Sequence, residues 1–145
     1  MKDTPRTAAR IIDVNLNRLT EGLRVVEDVV RLGLEDRHLL AGIRKLRTQV
    51  GRDVRVLRRQ VIPSRRSEAD LGRGDRFDRM KRKSLEDVLL ANFKRAEEAA
   101  RVLEEVLKVE EPGLGGKLKA VRFRLYDLER EAVEKCRMRD VGCQM

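Results

Sequence analysis

Two stretches of the chain carry apolar residues in helical rhythm: Ile12, Leu16, Leu19, Leu23, Val26 and Val30 in the first, and Leu89, Phe93, Ala96, Ala100, Leu103 and Leu107 in the second. These 4-3-4-3-4 spacings mark one face of an amphipathic helix that packs on other helices. A second pair of stripes follows, with Leu39, Ile43, Leu46, Val50 and Leu57 answered by Leu114, Leu118, Val121, Leu125 and Ala132 at an offset of 75. In that register Asp53 stands where Leu128 does, the clear mismatch. The pattern predicts helices near 5–32, 36–60, 84–109 and 116–139. Thr4 before Pro5 suits an N-cap and first helical position, and Ser84 with Asp87 reads as a capping box. Turns are expected at Gly33 to Glu35 and at Glu111-Pro112-Gly113.

Four long amphipathic helices in 145 residues can cover their stripes only against one another, so the expected fold is all-α. The economical arrangement is a single domain, 1–145: a four-helix bundle of two repeated helical hairpins, 5–60 and 84–139, around a long central loop, 61–83. A homodimer of such units is compatible with the pattern. The loop is longer than an ordinary helix connection, and loops of that length are usually functional or disordered.

A polar motif is also written twice. Residues 15–27 and 92–104 both read N-x-x-R-x-x-E-x-x-R-V-x-E, 77 residues apart. On a helical wheel turning 100° per residue, with the apolar stripe at zero, Asn15 falls at about 300° and Arg18 at about 240°, among Gly22, Val25 and Val29. Asn92 and Arg95 repeat this, Glu27 and Glu104 fall at the other edge, and Glu21, Arg24, Glu98 and Arg101 point outward. A guanidinium in an apolar sector needs an anionic partner. Two readings are open: reciprocal bridges of Arg18 to Glu104 and Arg95 to Glu27, or an interior pocket where Arg18 and Arg95 hold phosphate oxygens by bidentate contacts.

The net charge of +9 adds a preference for anionic partners, nucleic acid and phosphorylated small molecules alike, although dense ion pairing of the thermophile kind would give a similar composition. Aromatics are 3% of the chain, and of them only Phe77 lies in the basic loop, which argues against RNA binding by base stacking. Cys136 and Cys143 match neither a redox nor a zinc spacing, so a reduced, cytoplasmic protein is expected, and no apolar run suggests a signal peptide or membrane span. Gly113 to Lys117 lacks the flanking residues of a phosphate loop and reads as a turn. His38 has no nucleophile near it in sequence and reads as a surface or capping residue.

Taken in order, RIIDVNLNRLTEGLRVVEDVVR, SRRSEADLG, LLANFKRAEEAARVLEEVLK and KAVRFRLYDLE resemble the all-helical hydroxymethylpyrimidine phosphate kinase domain often fused to the N-terminus of thiamin phosphate synthase. One departure stands in the loop, where Arg66 occupies a position that is often acidic in that family. The resemblance implies the helical domain alone, without the synthase barrel. It also implies ATP-dependent phosphorylation of 4-amino-5-hydroxymethyl-2-methylpyrimidine phosphate to its diphosphate for thiamin synthesis, with ATP and Mg²⁺. The acceptor is already ionised near pH 7, so alignment and neutralisation of phosphate charge matter more than a general base. Chemistry then suggests Asp70 as a Mg²⁺ ligand and Gly72 as the point of close loop approach. Arg18, Arg95 and Arg65 would hold phosphates, and Asn15 and Asn92 would bond a phosphate or the aminopyrimidine edge. Glu27 and Glu104 would orient the arginines or support the metal. An alternative is a non-catalytic accessory domain that docks on a separate thiamin phosphate synthase.

Overall fold

The computed structural model describes residues 5–74 and 81–139. Within them the chain is helical, with no strand. Helix α1 spans Arg6–Val29 and continues through a π-helical turn, Val30–Leu34. Helices α2 (Arg37–Asp53) and α3 (Arg55–Val61) follow, then two short 3₁₀ turns at Ile62–Ser64 and Ser67–Ala69. Helices α4 (Leu85–Glu110) and α5 (Pro112–Met138) complete the described chain. The expected Thr4 cap, Phe77 and Cys143 lie outside the described residues.

Three boundaries differ from the sequence expectation for identifiable reasons. The second helix is interrupted at Val54, directly after the half-buried Asp53, although hydrogen bonds from Val54 N to Val50 O and from Arg58 N to Val54 O keep the two pieces in line. The turn after α1 does not use Gly33: the π-helical turn carries the chain past it, and Glu35 takes the left-handed conformation with φ 53°, its N–H donating to Val30 O. The last helix begins at Pro112, whose fixed φ and missing N–H suit a first helical turn, so Pro112, Gly113 and the following glycines are helical and the turn narrows to Glu111. The capping box at α4 forms as expected, with Asp87 N donating to Ser84 Oγ and Lys83 N donating to Asp87 Oδ2. At α2 the cap is Asp36, whose Oδ1 accepts from Leu39 N at 2.7 Å.

Helix α1 packs on α4, α4 on α5, α5 on α2 and α2 on α1, a closed ring in which the α1/α4 contact is the most extensive. Lys135 of α5 reaches Asp36 at the start of α2, and Lys117 reaches Asp53 at its end, so α2 and α5 run antiparallel. The short connections α1/α2 and α4/α5 reverse direction as well, which makes α1 and α4 antiparallel. Both predicted stripes, from Ile12 to Val30 and from Leu89 to Leu107, are buried inside the ring with Leu39, Ile43, Leu125 and Leu128. At the centre of the α1/α4 seam a Cβ on Gly22 would lie 3.1 Å from Asn92 O and 3.4 Å from Ala96 Cβ, so only a glycine lets the helices approach this closely.

Candidate functional site

The repeated motif resolves into two equivalent clamps. Glu27 is buried on α1 and is met by Arg47 of α2, with Arg44 and Arg24 also at its carboxylate, each at 3.5 Å. Glu104 is buried on α4 and is met by Arg122 of α5 at 2.9 Å, with Arg101 at 3.6 Å. Arg47 and Arg122 are related by the same offset of 75 as the apolar stripes, and Arg24 and Arg101 by the offset of 77. Burial raises the Glu27 carboxyl, but Arg47 with Arg24 and Arg44 outweighs it and holds the group below its ordinary range. The hydrogen bond from Arg122 does the same for Glu104.

This corrects the reading of reciprocal bridges. Arg18 and Arg95 do not reach Glu104 or Glu27; both are exposed, and neither makes an ion pair or hydrogen bond among the described residues. The sector taken for a widened interior face instead lies along the outer side of the α1/α4 seam. Asn15 and Asn92 are spent on their own helices, donating to Ile11 O at 2.9 Å and Val88 O at 2.8 Å. Glu27 and Glu104 orient arginines, but those are Arg47 and Arg122.

A different polar cluster forms where α1 meets α3 and the start of the central loop. Asp13 is buried and accepts two bonds from Arg65, each at 2.8 Å, in the fork geometry that suits guanidinium and carboxylate. The carboxylate raises the affinity of Arg65 for its proton. One turn along α1, Arg58 donates to Asn17 Oδ1 and Thr20 Oγ1, both at 3.2 Å, and to Leu16 O at 3.5 Å. Its partners among the described residues are all neutral oxygens, so its positive charge is uncompensated there. Such a half-buried guanidinium held in place by uncharged groups is suited to an incoming anion. Arg65 and Arg18 are not brought together: Asp13 and Arg18 sit about 140° apart around α1.

Beyond Arg65 the loop turns at Asp70, whose Oδ1 accepts from Gly72 N at 2.8 Å. Asp70 is exposed. The described residues hold no group of three or more His, Cys, Asp or Glu side chains placed for a metal. A Mg²⁺ carried by nucleotide phosphates needs only one or two carboxylates and keeps several waters, so Asp70 fits that role with its remaining oxygen.

Opposite this cluster, in the second half, Glu97 is buried beside Lys94, whose Nζ lies 2.9 Å from Oε1, while Oε2 has no hydrogen-bond partner. Burial, then the neighbouring Glu129 carboxyl, push the Glu97 carboxyl up to about 7 against the pull of Lys94. His38 is exposed in the first turn of α2, and Cys136 is buried.

Sequence reasoning missed Asp13, Arg58, Arg47, Arg122 and Glu97. The clamps were legible in the shared offset of Arg47 and Arg122. Within the stripes 12–30 and 89–107, Asp13 and Glu97 could have been flagged as the acidic residues that lack an acidic counterpart, since Leu90 and Thr20 stand at the equivalent positions.

Comparison with known proteins covers most of the chain. Residues 10–131 match the ThiD2 family model. The chain belongs to the ThiD2 family. It is 42% identical over 126 residues to a thiamine-phosphate synthase of Synechococcus sp. (strain CC9605), covering 86% of this chain and 35% of that protein. It is 40% identical over 124 residues to the thiamine-phosphate synthase of Gloeobacter violaceus, covering 85% of this chain and 36% of that protein. The chain thus spans about a third of the length of these relatives. No solved structure matches it. No helix among the described residues is long and apolar enough to cross a membrane.

Proposed function

We propose that this chain serves thiamin biosynthesis as a helical module that works with a thiamine-phosphate synthase, docking on it and handling its pyrimidine substrate. The observation that carries this reading is the match of nearly the whole chain to about a third of proteins named thiamine-phosphate synthase. The test is to titrate the purified chain with a purified synthase by calorimetry and to follow thiamin phosphate formation with and without it. Saturable binding with accelerated product formation supports the module; absence of both sinks it.

A second reading is phosphoryl transfer from ATP to 4-amino-5-hydroxymethyl-2-methylpyrimidine phosphate, with the two-hairpin bundle as its scaffold. What favours it is the Arg58 guanidinium beside the Arg65 strap, with Asp70 and Gly72 following in the same loop. Arg58 would hold a phosphate oxygen, Asp70 would hold Mg²⁺ carried by the nucleotide, and Asn17 and Thr20 would keep Arg58 aimed. Such placement of fixed charge is what phosphoryl transfer chiefly asks of a protein. Incubation with Mg-ATP and the pyrimidine monophosphate should yield ADP in step with the diphosphate. Arg58→Gln should lower kcat/KM by about 10²–10³, the scale of one lost transition-state donor. Inactivity combined with tight binding to the synthase would leave the non-catalytic module standing.

A further inference from the structure

The outer side of the α1/α4 seam carries a second apolar stripe, of which only Val29 and Val106 also pack against the core. On α1 and the π-helical turn it runs through Ile11, Val14, Val25, Val29 and Leu32. On α4 it runs through Val88, Ala91, Val102, Val106 and Val109, the counterparts at the offset of 77. None of these ten side chains is buried, and Leu32 and Val109 are 68% and 80% exposed. Each set falls within a sector of about 60° on its helix, beside the close approach at Gly22. A coherent outward stripe written twice is not what an isolated bundle requires of its surface, where apolar residues scatter singly.

The charges at the centre of this face say what covers it. Arg18 and Glu21 interrupt the stripe on α1, and Arg95 and Glu98 interrupt it on α4; all four are exposed. Because the helices run antiparallel and Gly22 lies against Asn92 and Ala96, Arg18 stands at the level of Glu98 and Glu21 at the level of Arg95. The four charges therefore form a chequerboard, flanked above and below by the apolar residues. Turning a second copy over about either twofold axis in the plane of the face sets each arginine against a glutamate and each apolar patch against another. Such self-complementarity is the property an isologous contact needs. The face extends about 30 Å along the helices and about 20 Å across both, or about 600 Å² per copy, which reaches the lower bound of a stable interface when doubled.

We propose that the outer α1/α4 face, centred on Arg18, Glu21, Arg95 and Glu98, is the docking surface for a second copy of this chain. The test is sedimentation equilibrium of the purified chain, alone and as variants, with helicity followed by circular dichroism. A reversible dimer is expected. Val25→Arg combined with Val102→Arg should leave helicity unchanged and yield a monomer. Arg18→Glu should weaken dimerisation by about a hundredfold through like-charge contacts. Adding Glu98→Arg should restore the dimer if the axis runs along the helices, and adding Glu21→Arg should restore it if the axis crosses them. A wild-type monomer at every concentration would overturn the proposal. So would a dimer that survives the paired arginine substitutions, or a failure of both Glu98→Arg and Glu21→Arg to rescue. Binding of thiamine-phosphate synthase to a wild-type monomer, abolished by the same paired substitutions, would assign the face to that partner instead.

Discussion

The flank of α1 that faces α3 and the flank of α4 at the offset of 77 occupy matching places in the repeated pattern but carry different residues. Where α1 carries Asp13, Asn17 and Thr20, α4 carries Leu90, Lys94 and Glu97 at the offset of 77. The first set engages Arg65 and Arg58, tying the start of the central loop to the bundle. The second set closes on itself as a lysine and a buried carboxyl beside Glu129. Two turns further on, the halves agree again, with Glu27 on Arg47 and Glu104 on Arg122. Positions where both copies keep the same pair serve a need common to both halves, which is joining adjacent helices. The divergent flank serves something that exists once, and what exists once is the loop.

The largest expected effect tests the shared clamp. Arg122→Leu leaves a buried carboxylate without its main partner and should cost about 3–5 kcal/mol in denaturant unfolding. Arg47→Leu should cost less, about 1–3 kcal/mol, because Arg24 and Arg44 both still reach Glu27, whereas only Arg101 is left at Glu104. Equal losses would show that Arg44, the one without a counterpart at Glu104, contributes nothing.

Next comes the divergent flank of α1. Asp13→Asn removes a charge-assisted, two-pronged contact and should cost about 1.5–3 kcal/mol. It should also speed proteolysis near Arg65, whereas Leu90→Asn at the matching place on α4 should leave that cleavage rate alone. Proteolysis unchanged by Asp13→Asn would mean that the loop is held by something else.

The matching flank of α4 predicts a pH dependence. Glu97 keeps its proton up to about 7 in the folded protein, while its ordinary value is 4.5. Between those values the native state binds more protons than the unfolded chain, so the stability this group contributes is full below 4.5 and is lost as pH rises through 7. Glu97→Gln should flatten the fall in melting temperature over that window, and an unaltered profile would remove Glu97 as its source. The smallest effect is reserved for Arg18→Gln, which breaks no contact among the described residues and, measured at dilutions where the chain is monomeric, should shift stability by less than about 0.5 kcal/mol.

The apolar periodicity by itself determined the helices and their buried faces, from Ile12 to Val30 and from Leu89 to Leu107, because burial of one side is what a 3.6-residue repeat encodes. It also determined that the chain repeats, and the Ser84 cap that starts the second half. It did not determine which way Arg18 and Arg95 face. A wheel shows that they lie about 120° from the stripe centre, but whether that sector meets a neighbour or solvent depends on where α4 and α2 sit around α1. Nor could it pair Glu27 with Arg47 or Asp13 with Arg65, partners 20 and 52 residues apart whose meeting depends on helix crossing and on how the chain leaves α3. The Val54 interruption and the helical start at Pro112 belong to the same class. Local pattern fixes the face a helix buries, whereas charged groups at the edges of that face take whichever partner the packing of neighbouring helices brings within reach.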